Sequence, residues 1–184
     1  MVLREKLYTA DEFFEIAALP ENEDRRLELE AGMIIEMASS RRINTVTGVR
    51  ISTFINVFVM KHNLGYVSGA DGGYRLSPHR VRRPDVGFIS KMHGITLEGV
   101  EFDIAPDLAV EVVSEDEDIF KKAREYLRAG TKLVWGVYAN DKEVYVFTLG
   151  EDGDIHAQYF GIEDTLTGDD VLPGFSLPVR DIFP

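Results

Sequence analysis

Cysteine is missing altogether from the 184 residues, so neither a disulfide framework nor a thiolate metal site is available, a composition that fits the cytoplasm. No apolar run approaches membrane-spanning length, and the opening MVLREKLYTADEFF lacks the apolar core of a signal peptide, so no membrane partner is expected. The glycine-rich stretch 65–76 holds no GxGxxG and no P-loop; it reads as a strand interrupted by a turn or bulge, not as a nucleotide cradle. Positive charge is scarce. Lysine plus arginine total 20 against 32 acids, and the formal net charge of −12 repels a polyanion at long range. His62, His79, His93 and His156 show no metal-ligand spacing to one another and read as ordinary polar residues. There is no internal repeat, low-complexity tract or linker, which predicts one domain over 1–184.

What is present is a core-forming composition, 45% hydrophobic and 28% charged, which excludes a disordered chain. Its most informative stretch is 84–130: RPDVGFIS, an acidic connector, PDLAVEVVS, then EDEDIFKKAREYLRAG, read as strand, loop, strand, helix. Glu111 stands inside the apolar run Leu108, Ala109, Val110, Val112, Val113. A charge in a buried strand is costly unless something pairs with it. If strands 85–89 and 107–113 pair antiparallel with matched ends, Ile89 faces Asp107 and Asp85 faces Glu111. Side-chain parity then turns both carboxylates to one face. Adjacent carboxylates repel unless a proton or metal intervenes, and hard divalent cations such as Mg²⁺ favour such oxygens. Asp107 shares Glu111's face, but four residues of strand span roughly 13 Å, too far to hold the same ion.

On the following helix, residues turn by about 100° each, which gathers Ile119, Phe120, Ala123, Tyr126 and Leu127 on one side. Lys122 falls at the edge of that inward side, whereas Lys121 lies nearly opposite. An ammonium near the carboxylates can orient an attacking water and stabilise charge developing on a phosphate.

Elsewhere, Thr9 and Glu12 form a capping-box pattern for a helix reaching about Leu19, with Phe13, Phe14 and Ile16 buried and Pro20 as its stop. Residues 26–37 alternate around Ala31-Gly32 and predict a hairpin, in which Glu28 either approaches the metal site or, on the plainer reading, is an exposed strand acid. Residues 45–61 predict a helix with Val46, Val49, Ile51, Phe54, Ile55 and Phe58 on its apolar face. Strands are expected at 133–138, 143–149 and 155–162, and 172–183 as a segment docking apolar side chains on the domain. Arg80, Arg82 and Arg83, with Arg41, Arg42, Lys121, Lys122, Arg124 and Arg128, could give local basic patches; a solvated surface balancing nearby acids is the plainer reading.

In order along the chain, RLELEAGMIIEM, RPDV, VEVVS, Lys122 with Tyr126-Leu127-Arg128-Ala129-Gly130, LVWGVY and VLPGFSLPVRDIF resemble the Uma-two family of proposed restriction endonucleases, part of the PD-(D/E)XK nuclease superfamily. The resemblance runs almost end to end. It implies a restriction endonuclease-like α/β fold, with a mixed central β-sheet flanked by helices and an N-terminal helix and β-hairpin. It also implies a metal-dependent nuclease core with Asp85 and Glu111 as ligands. The superfamily's usual lysine position is Val113 here, so the lysine function falls to Lys122. Asn44 stands where relatives often carry histidine, and Glu115 and Asp116 make the rim after Ser114 more acidic than usual.

The expected function is hydrolysis of phosphodiester bonds in DNA by an endonuclease using Mg²⁺ or Mn²⁺. Asp85, Glu111 and the Val112 carbonyl hold the ion, Lys122 positions the water, and the chain works as a homodimer. Two other readings use the same residues. In one, a catalytically inactive nuclease fold acts as a binding or assembly module, with Asp85, Glu111 and Lys122 as a buried ion-pair network. In the other, a metal hydrolase acts on small phosphorylated molecules.

Overall fold

The Thr9 hydroxyl accepts from the Glu12 N–H while the Glu12 carboxylate accepts from the Thr9 N–H, closing the expected capping box on α1 (Ala10–Ala17). The helix stops short of Leu19, and Pro20 starts a 3₁₀ turn. Phe13 is buried and Phe14 and Ile16 are half-buried. The structure is a computed structural model that describes residues 6–115 and 117–184. Strands β1 (Leu27–Glu30) and β2 (Met33–Glu36) pair antiparallel across Ala31 and Gly32. Both turn residues have positive φ (49° and 85°), the handedness a two-residue hairpin needs.

Next come α2 (Arg42–His62), β3 (Gly65–Ser68), β4 (Tyr74–Ser77), β5 (Arg80–Arg82), β6 (Val86–Ser90) and β7 (Leu108–Val112). They are followed by α3 (Ile119–Arg128), β8 (Leu133–Tyr138), β9 (Glu143–Leu149), β10 (Ile155–Phe160), β11 (Thr165–Gly168), β12 (Leu172–Pro178) and α4 (Val179–Ile182). A six-stranded mixed sheet in the order β10-β9-β8-β7-β6-β3 forms the centre; its β7–β8 pair is parallel and the other pairs are antiparallel. A second sheet, β2-β1-β5-β4, carries the N-terminal hairpin. The stretch read as one interrupted strand is therefore two strands in different sheets, because the turn after Ser68 redirects the chain. The expected docking segment is itself half of a hairpin, β11 with β12.

Alternation along β7 divides the core. Leu108, Val110 and Val112 face α2, β12 and α4, together with Val86, Phe88, Leu133, Trp135 and Val137. Ala109 faces α3, where Ile119, Ala123, Tyr126 and Leu127 pack with Val134 and Phe147. Phe120, expected inside, is half-exposed and lies edge-on to the Phe147 ring at 5.0 Å.

The apolar face assigned to α2 is corrected more deeply. Asn44, Thr47, Gly48, Ile51, Ile55 and Val59 are buried, while Val46, Val49 and Phe54 point outward. The helix is apolar on both sides, so composition alone could not choose which side faces in. Among the described residues it is the one helix long and apolar enough to cross a membrane by length and composition, with mean hydropathy 1.3. The expectation that no apolar run approaches that length therefore does not hold for it, although Ile51, Ile55 and Val59 pack against the sheet as in a core helix.

The connector after β6 is tied down. Phe102 stacks on Tyr74 with ring centres 4.7 Å apart, and the buried Glu101 carboxylate pairs with Arg83.

Candidate active site

In the β6–β7 ladder, Val86 faces Val110, Gly87 faces Ala109 and Phe88 faces Leu108. Continued one step past Val86, this ladder sets Asp85 opposite Glu111, the register expected from the matched strand ends. Because Val86 and Val110 point toward α2, Glu111 takes the α3 side of the sheet. Asp85 stands just before β6, outside the paired strand, with its Cβ beside Gly48 of α2, so strand parity does not set its direction and the expectation that parity turns both carboxylates to one face is not met for it. Asp85 is anchored by the backbone: Oδ2 accepts from the Val112 N–H at 2.7 Å. Asp107, at the far end of β7, accepts from the Ser90 N–H at 2.8 Å and lies 3.0 Å from His93 Nε2 and 3.2 Å from Lys132 Nζ. Its work is to close the connector, and His93 serves that contact.

Glu111 is buried, and both of its oxygens have donors. Lys122 Nζ reaches Oε2 at 3.0 Å and the Tyr126 hydroxyl reaches Oε1 at 2.7 Å. Lys122 is itself buried on α3 and also pairs with Glu117. Lys121 turns outward to Glu30, as the helical geometry requires.

Tyr126 and Glu117 belong to the constellation but were not singled out from the sequence. The signal for Tyr126 was available, since it stands one turn after Lys122 on the inward side and a buried phenol needs a partner.

Burial pushes the Glu111 carboxyl up to about 7. Lys122 opposes this, and the Glu117, Asp85 and Glu28 carboxylates reinforce it. Burial raises Asp85 as well, against the Val112 N–H and the Arg26 guanidinium. For Lys122 burial acts to lower the pKa, but Glu111, Glu28 and Glu117 outweigh it and the ammonium is held above its ordinary range.

Behind these groups lies a second buried ion cluster. Glu28, expected to be exposed, is fully buried: Arg82 Nη1 donates to its Oε2 at 2.7 Å and the Arg83 N–H to its Oε1 at 2.9 Å. Arg82 also grips Glu125 Oε2 through Nε at 2.9 Å and Nη2 at 2.7 Å. The basic cluster before Asp85 is therefore neither a solvated surface nor a free DNA-binding patch. Arg82 and Arg83 are consumed internally by acids from β1, α3 and the connector. The parity that placed Glu28 outward assumed a hairpin with one wet face, whereas its side chain turns to Arg82 on the neighbouring strand β5.

A cleft of about 510 Å³ opens over this constellation, lined among others by Arg26, Ser40, Asp85, Glu111, Ser114 and Lys122. Asn44 is buried at its edge, with its amide 3.4 Å from both the Val112 and Val113 carbonyls. Val113 packs into the apolar cluster under α3. Glu115 lies on the rim, paired with Arg41 at 2.8 Å; Asp116 lies outside the described residues.

Among the described residues no group of three or more His, Cys, Asp or Glu gathers as a metal cluster. A cation here would rest on two carboxylates and a carbonyl, and this donor set fits a hard divalent ion. All three groups are oxygen donors, and Asp85 Oδ1 has only a guanidinium at 3.8 Å beside it. Each Glu111 oxygen keeps a second lone pair beyond its hydrogen bond. Burial is the main cause that raises the Asp85 and Glu111 carboxyls, and a cation bound between them would favour their charged forms.

A solved structure from Anabaena variabilis ATCC 29413, described as a putative nuclease belonging to DUF820, is 21% identical and superposes with a TM-score of 0.78 over 95% of this chain and 97% of that one. At that identity the likeness establishes the fold alone, a mixed sheet flanked by helices. No curated protein matches in sequence. The sequence model of the Uma2 family, described as "Putative restriction endonuclease", matches residues 10–180, and the chain belongs to that family.

Proposed function

We propose that this chain is a divalent-metal-dependent endonuclease that hydrolyses phosphodiester bonds in DNA. The observation that carries the reading is the convergence of Asp85 just before β6, Glu111 of β7 and Lys122 of α3 onto one cleft. Asp85, Glu111 and the Val112 carbonyl would hold Mg²⁺ or Mn²⁺. When bound, such an ion supplies Lewis acidity to a phosphoryl oxygen and lowers the pKa of water. The Val112 N–H fixes the Asp85 carboxylate in place. Tyr126 and Lys122 hold Glu111, and Lys122 keeps its proton and its charge beside the reacting phosphate, stabilising negative charge there. Cutting both strands of a duplex takes two such clefts, so we propose a two-fold homodimer as the working assembly.

A second reading has its own support. Both Glu111 oxygens are already hydrogen-bonded, and net acidity opposes DNA, as expected of a nuclease fold retained for binding rather than chemistry. Calorimetric titration of wild type, Asp85→Ala and Glu111→Ala with Mn²⁺, with plasmid nicking followed in the same samples and folding checked by circular dichroism, separates the two. The nuclease reading expects wild type to bind and nick and both folded variants to do neither. A wild type that takes up no metal leaves the trio as a structural ion network.

A further inference from the structure

Six cationic side chains line the cleft, and among the described residues five of them are bound to a carboxylate at short range. Arg82 holds Glu28 and Glu125; Arg83 holds Glu101; Arg41 holds Glu115; Lys121 holds Glu30; Lys122 holds Glu111 and Glu117. The sixth is Arg26, which immediately precedes β1. Its Nη2 is 3.8 Å from Asp85 Oδ1, beyond hydrogen-bonding range, and its buried Nε has no partner. Its backbone is fixed, because its carbonyl accepts from the Met37 N–H at 2.8 Å where the hairpin closes. Arg26 also lines a neighbouring groove of about 370 Å³ that runs from Asp85 along α2 past Asn44, Ser52 and Asn56. It therefore stands where the two depressions meet.

We infer that Arg26 is the phosphate-binding residue of this cleft: its guanidinium takes the non-bridging oxygens of one backbone phosphate of a nucleic-acid strand and holds that phosphate against Asp85. The inference rests on the nuclease reading and names the group that receives its substrate. A guanidinium with an unused Nε–H edge matches a phosphate in a two-pronged contact, and it stays charged at any working pH. A buried donor without an acceptor is costly, and a phosphate oxygen removes that cost. At 3.8 Å Asp85 draws the guanidinium only weakly and leaves it free to take a phosphate with or without a metal in the cleft. Among the described residues the other cation at the carboxylates is Lys122, which spends two of its three donors on Glu111 and Glu117 and so contributes its charge more than a two-pronged contact.

The test compares wild type, Arg26→Met and Arg26→Lys in two assays. In the first, a labelled 20-base-pair duplex is titrated in EDTA and binding is followed by fluorescence anisotropy across a salt series. In the second, plasmid nicking is measured with Mn²⁺. Loss of one phosphate contact should lower the salt slope of binding by about one in the methionine variant. Nicking should slow about a hundredfold, the scale for removing one charge-stabilising donor. The lysine variant should keep the salt slope and recover part of the rate. If the methionine variant binds and nicks like wild type, Arg26 is not the phosphate ligand, and the nuclease reading stands without it. If wild type itself does not nick, the nuclease reading fails and the EDTA titration decides Arg26 alone: a reduced slope keeps the anion site and an unchanged slope removes it. If both variants lose binding equally and melt well below wild type, Arg26 is a structural partner of Asp85 and the inference is overturned.

Discussion

Glu111 sits where an ammonium, a phenol and three further carboxylates converge, and burial decides the outcome by pushing its carboxyl up to about 7. In the unfolded chain the same group titrates near 4.5. Between those values the folded state holds a proton that the unfolded state has released. The stability this group contributes is therefore complete below about pH 4.5 and is lost as pH rises through about 7, on the order of 3 kcal/mol in all. Glutamine mimics the protonated carboxyl and does not titrate. In EDTA, the melting temperature of Glu111→Gln should thus gain several degrees on wild type between pH 5 and pH 8, measured by thermal denaturation. Parallel curves would show that Glu111 is ionised throughout. The inward turn of Glu111 and of Lys122 was legible in the sequence, because a strand alternates every residue and a helix turns about 100° per residue, whereas Asp85 stands just outside β6, where parity does not place it. Arg26, Glu117 and Tyr126 were not singled out, since their roles depend on which separate element lies opposite, and no local period carries that.

At the level of elements, β5 is the piece the sequence concealed. Three residues with two arginines look like a surface tract, yet β5 joins β1 to β4 and brings Arg82 between Glu28 of β1 and Glu125 of α3. Arg82 thereby connects the hairpin sheet to the helix that carries Lys122 and Tyr126. Removing its charge strands two buried carboxylates. Arg82→Met should cost about 3–5 kcal/mol, read as a lower urea midpoint with an unchanged slope. Arg80→Met is the control: Arg80 lies 3.3 Å from Glu125, which Arg82 also holds, so its loss should cost far less. Equal losses in the two variants would deny Arg82 its special place. The remaining elements divide by the strength of their local signals. The capped α1, the hairpin at Ala31-Gly32 and the strands β8 to β10 could be read directly. The separation of β3 from β4 into two sheets and the pairing of β11 with β12 depend on long-range contacts that no local pattern encodes.

For the molecule as a whole, the outer side of α2 carries a consequence for assembly. Val46, Val49, Phe54, Val57 and Met60 lie on that side, with Val49 67% and Met60 69% exposed. They form a strip roughly 20 Å long at 1.5 Å per residue. Apolar strips of this kind on a soluble fold mark contact surfaces. Between Thr45 and Met60 the one charged residue is Arg50, whose guanidinium donates to the Phe183 carbonyl. On a chain of net charge −12, two copies meet with least repulsion through such a neutral face. A two-fold contact would also set each strip against its own image, so the apolar side chains bury one another. Light scattering should therefore give a particle of twice the 20.7 kDa chain mass. The double variant Val46→Glu with Met60→Glu should return it to one chain, because four carboxylates would face each other across the axis. Mn²⁺ binding per chain should be unchanged, since neither residue lines the cleft or the groove beside Asp85, while double-strand cuts should give way to nicks. A wild type that scatters as a monomer at working concentration removes the dimer, and a variant that stays dimeric moves the interface away from α2.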